Sequence, residues 1–554
     1  MISELVEFSS NKILSVDICI VGAGAAGITL AQRLVDRGID VLLLESGGLT
    51  PEADTQQLYA GEVCDERLHS PPDRYRQRRF GGSTTIWGGR CMPYDAIDFE
   101  PREYVAHSGW PFGLDTVLPY YPEANRLCEA GRFAYHSAEA FAKPLPPLLA
   151  GFDSQAFSTD TLERFSCPTD FGRRYRTKLA SAPNVRVLLH SNVTSIRLDA
   201  NAARVTELTA RDLAGNHLTV RARRYVLAAG GLETARLLLT NRDVQPNGIG
   251  NDRDVVGRYY MCHIAGTIGR IEARGPLSNV NYGYNISEEG VYCRRRMALR
   301  AATQREQRLG NFVARLHHPR IADPAHRNAV LSSLYLAKFL IPYEYGKRLH
   351  GGETVSFGGW MRHVANVAAA PHDAVGFAWH MLRDRKLAQR KFPSIIIRPK
   401  RNLYSLDFHA EQQPNPSSRV LLSERSDALG MPQLKIDWRY TEADVDTVTR
   451  SLALLAREMS RSGAASFDYD AQSVEAEMTR YGAYGGHHIG TARLGKDPKS
   501  SVVDPDGLVH GLGNLYVAGA AVFPTSSQAN PTLTIVAMTL RLADHLLATQ
   551  GAAS

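Results

Sequence analysis

The hexapeptide GAGAAG, with glycines at Gly22, Gly24 and Gly27, constrains this chain more than any other segment. It follows an apolar β-prone run (residues 16–21, VDICIV) and opens a stretch of helical periodicity, Ala25 to Arg37. A second apolar run, Val41 to Leu44, ends at Glu45. Strand, glycine turn, helix and strand in that order form a dinucleotide-binding unit. Gly22 permits the tight turn, and Gly24 lets a pyrophosphate approach the backbone. Gly27 lets the helix pack close to the strand, while Ala25 and Ala26 present the positive helix N-terminus to phosphate. A carboxylate at Glu45, followed by Ser46, suits ribose hydroxyls and repels a 2′-phosphate, which disfavours NADP. The motif alone does not separate FAD from NAD.

Further along, 185–189, 193–198, 205–212 and 218–228 read as strands. VLAAGGLETARLLL (Val226 to Leu239) repeats the strand, glycine turn and helix pattern. The tail closes with a strand at Leu515 to Ala518 and a long helix from Pro531 to Leu547. Strand–helix units at both ends around a strand-rich middle imply one nucleotide-binding domain assembled from separated pieces. Between about 265 and 400 the pattern is less regular. An apolar helical stretch lies near Ala329 to Ile341, and a basic amphipathic one near Ala374 to Arg390. Such stretches usually pack on their own core, so a core helix and a solvated basic helix are the favoured reading over a membrane-surface module.

The net charge of +7 over 554 residues is small, which argues against a nucleic-acid partner. Basic clusters at Arg74 to Arg79, Arg221 to Arg224, Arg294 to Arg296 and Arg383 to Lys391 read as solvated surface. Seven scattered cysteines without a CxxC pair suit a reducing compartment and suggest no metal site. Neither a secretory signal nor a run of about 18 uncharged apolar residues is visible, so a cytoplasmic location and little membrane association are expected.

Four segments carry a resemblance. RRFGGSTTIWGGRCMPYDAIDFEPREY (Arg78 to Tyr104) resembles the flavin-covering signature of the glucose–methanol–choline (GMC) oxidoreductases. Val226 to Leu239 is similar to their second signature. HHIGTARLG and NLYVAGAAVFPTSSQANPTLTIVAMTLRLADHL resemble the segments holding their active-site pair. The resemblance covers about two-thirds of the chain, and 265–400 lies outside it. It implies an α/β fold, α+β overall: a Rossmann-like FAD-binding domain made of discontinuous segments, plus a substrate domain with an antiparallel sheet and helices. The expected division gives 1–110, 160–265 and 490–554 to the FAD domain. The substrate domain takes 111–159 and 266–489, with a helical insert at about 325–395.

The same resemblance implies FAD-dependent oxidation of an alcohol on a sugar, cyclitol or related polyol, with an unspecified electron acceptor. Its catalytic base falls on His487 and its second residue on Asn530. A neutral imidazole suits removal of the hydroxyl proton while hydride leaves for the flavin, and an amide can hold the hydroxyl without titrating. Asn530 before Pro531 also has the form of an ordinary helix cap using its side-chain oxygen. His488 is the neighbouring ambiguity, as a supporting or substrate-side residue, and Gln412 falls where relatives place substrate-side residues.

Further cofactor contacts are implied at Gly81, Gly82, Ser83, Thr84, Trp87, Gly88 and Gly89. Others are implied at Val193, Ala229, Gly230, Gly519, Ala520, Pro531 and Thr532. Some relatives attach FAD through a histidine in the Gly81 loop. Ile86 stands there in this chain, so noncovalent binding is expected. The alternatives are a lyase of the same fold and an NAD-dependent dehydrogenase.

Overall fold

The computed structural model describes residues 1–8, 12–340, 353–393, 396–397, 399 and 401–550. Two large sheets organise them. The first has eight strands, ordered Ile2–Glu4, Val185–Leu189, Val41–Leu44, Lys12–Val21, His217–Leu227, Val205–Arg211 and Asn192–Leu198, with Leu515–Val517 paired to His217–Leu227. Its first five members run parallel, as does Leu515–Val517 beside His217–Leu227. Residues 205–211 pair antiparallel with the first half of 217–227, whereas 515–517 pair parallel with its second half. The central strands are continuous apolar runs because the sheet is covered on both faces. Val41, Leu42, Leu43 and Leu44 are all buried.

Helices Ala25–Leu34 and Thr532–Ala548 pack together on this sheet. Arg33 and Asp544 tie them with a salt bridge of 2.9 Å. The sheet thus draws on three separated stretches of chain, as a discontinuous α/β domain requires.

The second sheet is antiparallel, ordered Ala465–Asp468, Met261–Ala273, Leu403–Glu411, Phe312–His317, Met297–Leu299 and Phe157–Ser158, with Tyr484–Ile489 also paired to Met261–Ala273. Helix Glu442–Ser462 packs beside it, started by a Thr441–Asp444 capping box and ended by Gly463 in the left-handed region. The strand Met261–Ala273 joins the two cores. Met261 and Cys262 belong to the first, whereas Ile264, Ile268 and Ile271 belong to the second. The division expected at 265/266 therefore falls inside one continuous strand.

Several sequence expectations change. The basic clusters are not all surface: Arg76, Arg224, Arg294, Arg295 and Arg296 are buried. Burial of an arginine requires partners, and these are present. Arg76 and Arg78 share Glu233 at 3.1 and 3.2 Å, and Arg296 donates to Gln528 Oε1 at 2.8 Å. The stretch near Ala374 to Arg390 forms Pro371–His380, continued by a wider helical turn over Met381–Leu387. Neither segment has a buried residue. Ala329–Leu336 is helical and buried on one face, while Ile341, the end of that predicted stretch, lies outside the described residues.

Candidate active site

A cavity of 2340 Å³ runs between the two sheets, and the sequence motifs meet on its wall. Gly24 precedes helix Ala25–Leu34, and a side chain there would meet nothing within 4 Å, so the backbone faces open space. Gly27 does not line the cavity. A Cβ there would lie 1.9 Å from the Gly22 carbonyl oxygen, which is the close helix–strand packing the motif calls for. Gly82 approaches from the other side: its Cβ position is 3.0 Å from Gly24 Cα. Two glycine turns distant in sequence thus form one cradle, with room for phosphate at a helix N-terminus. Gly22, Gly24, Ala25, Ala26, Glu45, Ser46, Gly82, Ser83, Thr84, Trp87 and Gly88 line the cavity. So do Val193, Ala229, Gly230, Gly519, Ala520, Asn530, Pro531 and Thr532.

Glu45 is buried, with Oε2 accepting from Ala23 N at 2.8 Å and Oε1 from Gly47 N at 2.9 Å. Burial raises its pKa, and the two backbone donors oppose the shift. Ser46 Oγ also donates to Oε1, at 3.2 Å, so Oε2 keeps a further lone pair for a ribose hydroxyl. Gly81 and Gly89 are not on the wall; both have positive φ, 102° and 73°, and shape the loop.

His487 and Asn530 come together although 43 residues separate them. Asn530 Nδ2 lies 3.1 Å from His487 Nε2. An amide nitrogen only donates, so Nε2 is the acceptor and the neutral ring carries its proton on Nδ1. That Nδ1 lies 2.8 Å from Nδ1 of His263, a buried residue of Met261–Ala273. Burial, then His263 and Arg90, hold the His487 pKa well below 6.5. Burial likewise lowers His263 to about 4, opposed by hydrogen bonding to the backbone of Ala529 and Ser526. His409 stacks on His263 at 5.3 Å between ring centroids.

His488, the next residue along the strand, faces a different set of groups. Its Nδ1 lies 2.6 Å from the Tyr260 hydroxyl, which is also 2.8 Å from His69 Nε2 and 3.3 Å from Cys262 Sγ. The His69, Cys262 and His488 ligand atoms lie within 4.8 Å of one another. The tyrosine hydroxyl already joins all three, so hydrogen bonding accounts for the cluster.

Asn530 is not a helix cap. The helix begins at Thr532, its flanking residue is Pro531, and no side-chain cap bond is made. The buried Asn530 Oδ1 has no hydrogen-bond partner among the described residues. The proline supplies the helical φ at this end, which leaves the amide available to His487.

Gln412 is not a cavity residue either. It is fully buried; its Oε1 accepts from Cys262 N at 2.7 Å and Trp438 Nε1 at 2.9 Å, and its Nε2 donates to Arg439 O at 2.9 Å. Its backbone instead exchanges bonds with Ser526 Oγ at 2.9 and 3.0 Å, fastening the loop that precedes Asn530. Arg296 and Asp95 hold Gln528 of that loop, and Trp110 holds Thr525.

Sequence reasoning missed His263, Tyr260 and the side chains that line the outer cavity, among them Thr267, His317, Arg320 and Arg480. The only local sign of His263 was a lone histidine inside the apolar run MCHIA.

This cradle, on this fold, is that of an FAD-dependent oxidoreductase. The sequence matches the family described as FAD dependent oxidoreductase over residues 17–335 and the family described as GMC oxidoreductase over residues 414–539. The chain belongs to the FAD-dependent oxidoreductases, and its C-terminal part is similar to the GMC oxidoreductases. FAD is its cofactor, and CH–OH groups are its electron donors.

A relative from Streptomyces lividus, 6'''-hydroxyparomomycin C oxidase, is 26% identical over 97% of this chain and 93% of its own. The fructose dehydrogenase large subunit of Gluconobacter japonicus is 24% identical over 97% of this chain and 99% of its own. Among solved structures, pyridoxine 4-oxidase from Mesorbium loti shares the fold with a TM-score of 0.55 at 20% identity, covering 96% of this chain and 99% of that one.

Proposed function

We propose that this protein oxidises an alcohol group of a small polyhydroxylated molecule, a sugar, cyclitol or related polyol, to a carbonyl, with His487 as base. The observation that carries the reading is the His487–Asn530 pair, held at 3.1 Å on the wall of the cavity that contains the glycine cradle. FAD, held by the Gly22–Gly27 turn, Glu45 and the Gly81–Gly89 loop, supplies the hydride acceptor when bound. A hydroxyl that replaces the direct Asn530–His487 bond accepts from Asn530 Nδ2 while giving its proton to His487 Nε2. The amide also stabilises the negative charge that grows on the oxygen as the proton leaves.

His263 is a positioning residue in this scheme. Its Nδ1 accepts from His487 Nδ1–H, which fixes the tautomer that leaves the lone pair on Nε2. The polar outer wall, with Thr267, His317, Arg320 and Arg480, supports a hydroxyl-rich substrate. The relatives, an oxidase of 6'''-hydroxyparomomycin C and a fructose dehydrogenase subunit, support the same class. Ile86 supports noncovalent attachment, and the lack of a helix long and apolar enough to cross a membrane, among the described residues, is compatible with the expected cytoplasmic location.

An anaerobic absorbance titration of the purified protein against sugars, cyclitols and simple alcohols tests this reading. Bleaching of the flavin bands by a polyol supports it. Flavin bands that no alcohol bleaches would place the protein with lyases of the same fold.

A further inference from the structure

The helical insert presents an apolar, basic face to solvent. Of the seventeen large apolar side chains exposed among the described residues, nine lie between Phe339 and Leu387. They include Phe357 at 79%, Trp360 at 46%, Trp379 at 60% and Leu387 at 72% exposed. Helix Phe357–Ala369 buries only His363, and Pro371–His380 and the turn after it bury nothing. Scattered apolar side chains on a surface need no explanation, whereas a concentration of this kind does.

Charge separates the occupants that such a face admits. Residues 357–391 hold six Lys or Arg against two Asp, so this short segment carries a net +4 of the chain's +7. Arg362, Arg383, Lys386 and Lys391 are all exposed. A second copy of the chain, docked face to face, would set these cations against one another. An anionic lipid surface accepts the tryptophan and leucine side chains at headgroup depth and the cations among its phosphates. Long Lys and Arg side chains reach outward while their stems stay on apolar surface.

The face also adjoins the cavity. Phe377, Met381 and Leu382 line its outer part, and Leu382 is at the same time 41% exposed.

We propose that Phe357–Leu387 docks the enzyme on an anionic bilayer surface, peripherally and without spanning it, with the cavity entrance turned toward the lipid. An amphiphilic substrate or electron acceptor then reaches the active site from the interface rather than from bulk water. The docking is independent of which alcohol is oxidised.

Flotation of the FAD-loaded full-length protein tests this. The probes are phosphatidylcholine vesicles with and without phosphatidylglycerol, at low and raised salt. The expected result is co-flotation with the anionic vesicles, several-fold weaker at raised salt and absent with pure phosphatidylcholine. Trp379→Glu and, separately, Arg362→Glu should each lower the floated fraction several-fold while the flavin spectrum is retained. Protein that stays at the bottom with anionic vesicles overturns the proposal. So does sedimentation as a dimer that Trp379→Glu dissociates, with no vesicle binding, because that result assigns the face to a second copy.

Discussion

His263 and His487 approach each other Nδ1 to Nδ1 at 2.8 Å, an arrangement in which only one of the two atoms can carry a proton. Asn530 decides which, because its amide hydrogen occupies Nε2 of His487. The proton therefore sits on His487 Nδ1, and the Nε2 lone pair, held by the Asn530 amide in this structure, is the one that the proposed base uses.

His263→Leu should lower kcat by about 10²-fold, near the lower end of what a positioned base contributes. His263→Gln keeps an acceptor oxygen in reach of Nδ1–H and should restore much of the loss. Steady-state kinetics on both variants, with KM followed separately, check this. Equal damage in the two variants would reduce His263 to a packing residue.

Asn530→Ala should cost about 10²- to 10³-fold in kcat, the scale of one lost donor to a developing oxyanion. Because its oxygen caps no helix, the stability change should stay below about 0.5 kcal/mol, less than a lost cap costs. Thermal melts beside the kinetics separate the two. A destabilisation large enough to explain the lost activity would return Asn530 to a capping role.

Burial, His263 and Arg90 lower the His487 pKa well below 6.5. The base is active when unprotonated, so kcat/KM should hold as pH falls through 6.5 and decline only at lower pH. A pH profile of kcat/KM reads this limb directly. An acid limb centred at 6.5 or above contradicts the enclosed, cation-flanked environment of the imidazole.

Ile86 offers no nucleophile to a flavin. Mild acid precipitation should release all the yellow colour into the supernatant as free FAD. Colour retained in the washed pellet would mean that another side chain forms the bond.

The parallel part of the fold was legible because its signals are local. Lys12–Val21, Val41–Leu44 and Val185–Leu189 are apolar runs with turns at their ends, and Gly22 to Gly27 sits where strand meets helix. The His487–Asn530 pair was legible only through its resemblance to a family, since no spacing joins His487 to Asn530. The remaining site depended on antiparallel pairing. His263 reaches His487 because Met261–Ala273 pairs with both Tyr484–Ile489 and Leu403–Glu411, which are far away in sequence. The buried arginines escaped notice for a related reason: Glu233, the partner of Arg76, is 157 residues away. Gln412 entered only through the family resemblance, and the fold seals its side chain behind Trp438 and Cys262.

The central claim is that His487 removes the hydroxyl proton as the flavin is reduced. Anaerobic stopped-flow measurement of flavin bleaching by a reactive polyol, in the natural protein and in His487→Ala, tests it most directly. The account predicts an unchanged oxidised spectrum in the variant and a reduction rate lower by about 10²-fold or more. Bleaching at the natural rate in His487→Ala would contradict it.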